Sequence, residues 1–199
     1  MKAANEIATA MSTERESGQV PMGKGCLMRF MVNDSIPTDS IDHHFTLTSY
    51  DGKPESWVPV IGSHWHKYHD EYMQVFHGRI AFTMDGKETI LTPLSERLYI
   101  PRLHVHSFKF FPGEAASFTE KTNPAGDFKE SFFEDIFELG QPTFATAMRS
   151  FYDGDTYVAL PGGIKVLDEA YTTVVGRFMK WMYPRQKTVL PSASTVTKN

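Results

Sequence analysis

The sequence predicts a mainly β fold, an antiparallel sandwich or barrel, with a helical C-terminal third. Three observations predict it. Short runs rich in β-branched and aromatic residues recur between residues 43 and 123. The gaps between them hold Asp51-Gly52, Asp85-Gly86 and Pro112-Gly113, dipeptides that favour tight turns between antiparallel strands. After Pro124 the apolar spacing changes from alternation to the three-and-four step of a helix.

In chain order, residues 1–24 are polar with few large apolar groups and predict a loose N-terminal arm or a short helix. "GCLMRFMV" at 25–32 predicts the first strand, and a Pro/Asp/Ser loop follows at 33–42. The next strand-like runs are "HFTLTSY" before Asp51-Gly52, "EYMQVFH" before Gly78, "RIAFTM" before Asp85-Gly86 and "KETILT" before Pro93. "RLYIP", "HVHSFKFF" before Pro112-Gly113, and "ASFTEKT" complete the set. Short strands at such regular spacing predict a β-barrel or sandwich over 25–124.

Beyond Pro124, Asp127 with Glu130 predicts a capping box, and Phe128, Phe132, Phe133, Ile136, Phe137 and Leu139 recur at helical spacing until Gly140. Pro142 opens a second helix with Phe144, Ala147, Met148 and Phe151 on one face. A third, from about Asp168 to Tyr183, carries Tyr171, Val174, Val175, Phe178 and Met182. Faces this apolar must cover the sheet or a partner subunit, so 125–185 reads as a helical extension packed on the barrel. Residues 186–199 read as a polar tail. Arg177, Lys180 and Arg185 beside Phe178, Met179, Trp181 and Met182 also fit a membrane surface, but packing on the barrel or across a homodimer is the simpler reading.

With 199 residues, 41% hydrophobic and 13% aromatic, the chain can build one sizeable core. The net charge of −4 is interspersed, with no basic stripe to meet a phosphate backbone, which argues against nucleic acid as a partner. Cys26 is the single cysteine, so no intramolecular disulfide forms, and the thiol fits a reducing compartment as a small buried apolar group. The opening residues lack the apolar run of a signal peptide, and no stretch of about eighteen apolar residues suggests a transmembrane segment, so a cytoplasmic protein is expected.

The chemistry concentrates in "GSHWHKYHDEYMQVFHG", residues 62–78. In a strand, alternate side chains share a face, so His64 and His66 point the same way and Trp65 points opposite. Glu71 opens the next apolar run after "KYHD", read as a loop that carries His69. A later strand brings His106. Three neutral imidazoles and one carboxylate suit a divalent transition metal (Fe, Mn, Ni, Cu or Zn) and leave coordination positions open. A lone buried histidine is usually a hydrogen-bonded core residue; the joint pattern is the stronger signal. His104 shares the parity of His106 and is either the third imidazole or a group beside it. His43 and His44 read as strand-edge residues, and His77 lies roughly 20 Å of extended strand from Glu71. By parity Met73, Val75, Phe108 and Phe110 face an apolar, aromatic pocket suited to a flat, mostly hydrophobic molecule.

Here the chain resembles the cupin family, whose motifs run Gly-x5-His-x-His-x(3,4)-Glu-x6-Gly and Gly-x5-Pro-x-Gly-x2-His-x3-Asn. His64, His66, Glu71 and Gly78 match the first, with Val58 where its leading glycine would fall; Pro101 and His106 match the second, with Ser95, Leu103 and Phe110 in place of Gly, Gly and Asn. The resemblance covers about residues 40–123. It implies a cupin-type antiparallel β-barrel, the double-stranded β-helix or jelly roll, with metal ligands His64, His66, Glu71 and His106. It also implies, by similarity to flavonol-cleaving cupins, that Glu71 can leave the metal to act as a base; in a redox-neutral enzyme Glu71 or His104 would be the proton shuttle. The expectation is a metal-dependent oxygenase acting on a small enol or phenol of aromatic or polyketide type in secondary metabolism. A redox-neutral isomerase, cyclase or decarboxylase and a non-catalytic binding protein are the alternatives, because one fold hosts many reactions.

Overall fold

A computed structural model describes residues 13–185. Residues 1–12 of the expected arm and the expected tail at 186–199 lie outside the described residues. The strands are β1 (Glu14–Pro21), β2 (Cys26–Asn33), β3 (His44–Tyr50), β4 (Val60–Trp65), β5 (Asp70–His77), β6 (Ile80–Met84), β7 (Lys87–Leu91), β8 (Leu98–Ile100), β9 (His106–Phe110), β10 (Ala116–Asn123) and β11 (Tyr157–Val158). The helices are α1 (Phe128–Ile136), α2 (Phe144–Asp153) and α3 (Lys165–Met182).

Two sheets run β1-β2-β3-β10-β5-β8 and β11-β4-β9-β6-β7. Strands β3 to β10 pair antiparallel as one long folded hairpin, β3 with β10, β4 with β9, β5 with β8 and β6 with β7, the pairs alternating between sheets. That winding is a jelly roll, so the cupin-type fold expected from the motifs is the fold observed. Alternate residues fill the space between the sheets: Met28 and Phe30, Met73 and Val75, Ile80 and Phe82, Phe108 and Phe110, and Phe118 are all buried. Gly78 links β5 to β6 at a φ of +68°, where an added Cβ would lie 2.1 Å from the Ala115 carbonyl oxygen. Only glycine fits there, which is why the first motif closes on that residue type.

The loose arm is corrected from Glu14 onward, because β1 pairs with β2 along its length. Its sequence hides this: β1 is an edge strand held by backbone hydrogen bonds, and most of its side chains face solvent. The capping box at α1 is also corrected. The Asp127 side chain caps nothing, and Glu130 instead accepts from Ser17 Oγ at 2.7 Å, tying α1 to β1. At α2 the box forms between Thr143 and Thr146.

The face that α3 buries is not its apolar one. Asp168, Thr172 and Gly176 are inside, while Val174, Phe178 and Trp181 are exposed. Asp168 accepts from Trp65 Nε1 at 3.0 Å and from the Leu160 backbone at 2.9 Å, and Thr172 Oγ1 accepts from the Val158 backbone at 3.2 Å. Gly176 lets α2 approach so closely that a Cβ would sit 2.5 Å from the Met148 carbonyl oxygen. Hydrogen bonds and close backbone contact set this interface, so hydrophobic periodicity could not find it.

Candidate metal centre

The β4–β9 pairing is irregular between Ile61 and His64, and beyond that break His64 stands opposite His106. Trp65 points to the other side, stacked on Tyr157 with ring centres 4.5 Å apart beneath α3. His66 follows at the strand end, Glu71 is the second residue of β5, and His106 opens β9. One donor atom from each of His64, His66, Glu71 and His106 lies within 4.8 Å of the other three. The four residues named from the sequence are therefore brought together.

Each imidazole is held from behind. Nδ1–H of His64 donates to the Gly62 carbonyl at 2.9 Å, that of His66 to the Asp155 carbonyl at 2.8 Å, and that of His106 to the His104 carbonyl at 3.0 Å. A carbonyl only accepts, so each Nδ1 carries a proton and, in a neutral ring, the Nε2 lone pair faces the centre; without a metal, His106 can also carry a proton on Nε2 and donate it to Glu71. Nε2 of His66 lies 3.2 Å from Glu71 Oε1, and Nε2 of His106 lies 3.1 Å from Glu71 Oε2. Neutral imidazole lone pairs turned on a carboxylate repel unless a proton or a cation lies between them. Nε2 of His66 is buried without a hydrogen-bond partner. A divalent cation satisfies all of these groups, and the residues fit one.

Burial pushes the His66 imidazole down to about 4, and burial with the neighbouring His106 and His66 holds His64 well below its ordinary range. At Glu71 burial opposes the charge, but His66, Lys129 and the hydrogen bond with His106 outweigh it and hold the carboxyl well below the usual range. At His106 burial opposes protonation and the Glu71 contact outweighs it, raising the imidazole.

Four further residues reach the centre that sequence reasoning did not place there. Lys129 Nζ of α1 donates to Glu71 Oε1 at 2.6 Å and lies 3.3 Å from Glu120 Oε1 of β10. Lys129 is raised, because these two carboxylates outweigh its burial; Glu120 is raised by burial and by the Glu71 charge. His69, expected in an unremarkable loop, is buried with its ring centre 4.1 Å from that of His66. Asp155, between α2 and β11, supplies the carbonyl that holds His66. Some signals were readable. Lys129 occupies the same helical stripe as Phe132, Phe133 and Ile136, Glu120 shares parity with Phe118, and His69 shares parity with Glu71. Asp155 carried none.

His104 is not brought to the centre. Its side chain is exposed, with Nδ1 2.5 Å from Asp85 Oδ2, and only its main-chain oxygen serves His106. The expected parity fails because β9 starts at His106 and Leu103 just before it has a φ of +68°. His77 is exposed at the end of β5, and His43 is buried against the Asn33 carbonyl.

The centre opens onto a cavity of about 430 Å³ whose walls include Met28, Phe108, Phe118, Phe132, Phe133 and Phe151. Phe108 lines it as expected. Met73, Val75 and Phe110 lie instead in the packed core. The helices α1 and α2 supply much of one wall, a role no strand parity could assign.

No protein-family model matches the chain, and no curated protein matches it by sequence. Among solved structures it is similar to KdgF from Halomonas sp., at 17% identity over 52% of this chain and 82% of that one, with a TM-score of 0.38. It is similar to the polyketide cyclase RemF from Streptomyces resistomycificus, at 20% identity over 59% and 79%, TM-score 0.38. A sugar phosphate isomerase of the cupin superfamily from Silicibacter pomeroyi shares 18% identity over 49% and 59%, TM-score 0.37.

Proposed function

We propose that this cupin-type jelly roll binds one divalent transition metal through His64, His66, Glu71 and His106 and is an oxygenase acting on a small enol or phenol of aromatic or polyketide type. The observation that carries the reading is the convergence of imidazole Nε2 atoms and one carboxylate, within 4.8 Å of one another, at the end of a largely apolar cavity. An ion bound there would supply Lewis acidity toward a substrate oxygen and, with a redox-active metal, access to dioxygen chemistry.

The chain's own residues do the rest. The aromatic walls around Phe108, Phe118 and Phe132 hold a flat apolar body and exclude water. Glu71 accepts the enol or phenol proton as substrate binds. Lys129 keeps Glu71 anionic until then, and its ammonium is placed to balance a substrate anion in a site where an unpaired charge is costly. The buried series Glu71, Lys129 and Glu120 favours a second reading, a redox-neutral isomerase, cyclase or decarboxylase, because it can relay protons without oxygen.

Oxygen uptake by metal-loaded protein, measured across a panel of enols and phenols, tests the proposal. Substrate loss matched by oxygen consumption is the expected result. Turnover without oxygen uptake moves the assignment to the redox-neutral reading, and metal binding with no turnover on any substrate favours a binding protein.

A further inference from the structure

We infer that His69 is a fifth donor of the metal centre, set in place by Asp155 from the C-terminal extension. The inference rests on the metal-centre reading and extends its ligand set beyond the motif residues.

His69 repeats the geometry of the other three histidines. Its Nδ1–H donates to Asp155 Oδ2 at 2.8 Å, which leaves the Nε2 lone pair free. Nε2 is buried, lacks a hydrogen-bond partner and lies 3.5 Å from Glu71 Oε1, the oxygen that also faces His66 Nε2. An ordinary core histidine would use both nitrogens, since a buried polar atom left unpaired forfeits its solvation without a compensating bond. His66 and His69 share this defect and share the carboxylate they face. One cation beside Glu71 removes both defects. The donors of His66, His69 and Asp155 also lie within 4.8 Å of one another, although His69 falls outside the tight group formed with His64 and His106.

Asp155 is the positioning residue, not a further ligand, because its oxygens are committed. Oδ1 accepts from the Lys67 backbone at 3.0 Å, Oδ2 accepts from the Tyr68 backbone at 2.8 Å and from His69, and the main-chain oxygen takes His66 Nδ1–H. A single residue thus fixes the tautomers of two donors and the turn between them. Carboxylate–histidine–metal arrangements of this kind orient the ring and raise its basicity.

The full chain loaded with Cu²⁺ tests this, with pulsed electron paramagnetic resonance reporting the number of coordinated imidazoles and competition with a chelator reporting affinity. His69→Ala is expected to bind one ion with one imidazole fewer, and added imidazole should restore the wild-type spectrum. Asp155→Ala is expected to lose the same imidazole and about 10–100-fold in affinity. Should His69→Ala not fold, His69→Gln, closer in size, carries the same readout. An unchanged imidazole count in the His69 variant overturns the inference and leaves the four-donor centre standing. A wild-type chain that binds no ion overturns both.

Discussion

At the residue scale, the centre works because each imidazole is fixed by the nitrogen that does not face it. His66→Ala removes a donor but no large core side chain, so metal affinity should fall by more than the ~10–100-fold of an indirect contact while the circular dichroism of the barrel is kept. His104→Ala should leave metal content unchanged, because its ring pairs with Asp85 at the surface. Glu71→Gln keeps size and a weak oxygen donor but removes the charge. Turnover per bound metal should then fall about 10²–10⁴-fold, and a loss of only a few-fold would place the base elsewhere. Burial also sets a pH dependence in metal-free protein. The His66 imidazole titrates at about 4 when folded and at 6.5 when unfolded, so the unfolded chain binds the extra proton between those values. That share of stability is present above about pH 6.5 and lost as pH falls toward 4; denaturant titrations across this range should show it. His64 and His66 were legible from strand parity, and Glu71 and His106 from motif spacing, since parity alone did not separate His106 from His104. Lys129 and His69 carried only weak signals, a place on the apolar stripe and a shared parity, which an ordinary exposed lysine or loop histidine also shows; Asp155, in a turn, carried none.

At the element scale, most strands were legible to within two residues, because alternation and turn dipeptides are local signals. What the helices bury was not. The apolar stripe of α1 turns inward as periodicity predicts, though onto the cavity rather than the outside of the sheet, while α3 docks through Asp168, Thr172 and Gly176. Asp168→Ala should therefore be costly despite sitting on a helix whose hydrophobic residues look more important. It strands the buried Trp65 indole N–H, at about 1–3 kcal/mol, and the half-buried Leu160 backbone N–H at a smaller cost, and urea unfolding should report the loss. Val174→Ala, on the exposed side, should change stability by less than about 0.5 kcal/mol in the monomer.

At the scale of the whole molecule, the helical extension completes the cavity of the jelly roll. The extension after Pro124 carries Lys129, Asp155, Asp168 and much of one cavity wall, so truncation there should give aggregating protein that holds no metal, read by size-exclusion chromatography. A monodisperse, metal-loaded fragment would contradict this. The helices also leave Leu139, Phe144, Val174, Phe178 and Trp181 exposed. Light scattering of the intact chain, which distinguishes dimer from monomer, tests the homodimer expected from the sequence. Among the described residues no helix is long and apolar enough to cross a membrane. Elemental analysis of protein purified without added metal decides whether the buried histidine–glutamate cluster holds a metal ion. The expectation is about one divalent transition-metal ion per chain in the wild type, and under about a tenth of that when His64 and His66 are both alanine in a folded protein. A wild type without metal, or a double variant that keeps its full complement, would contradict it.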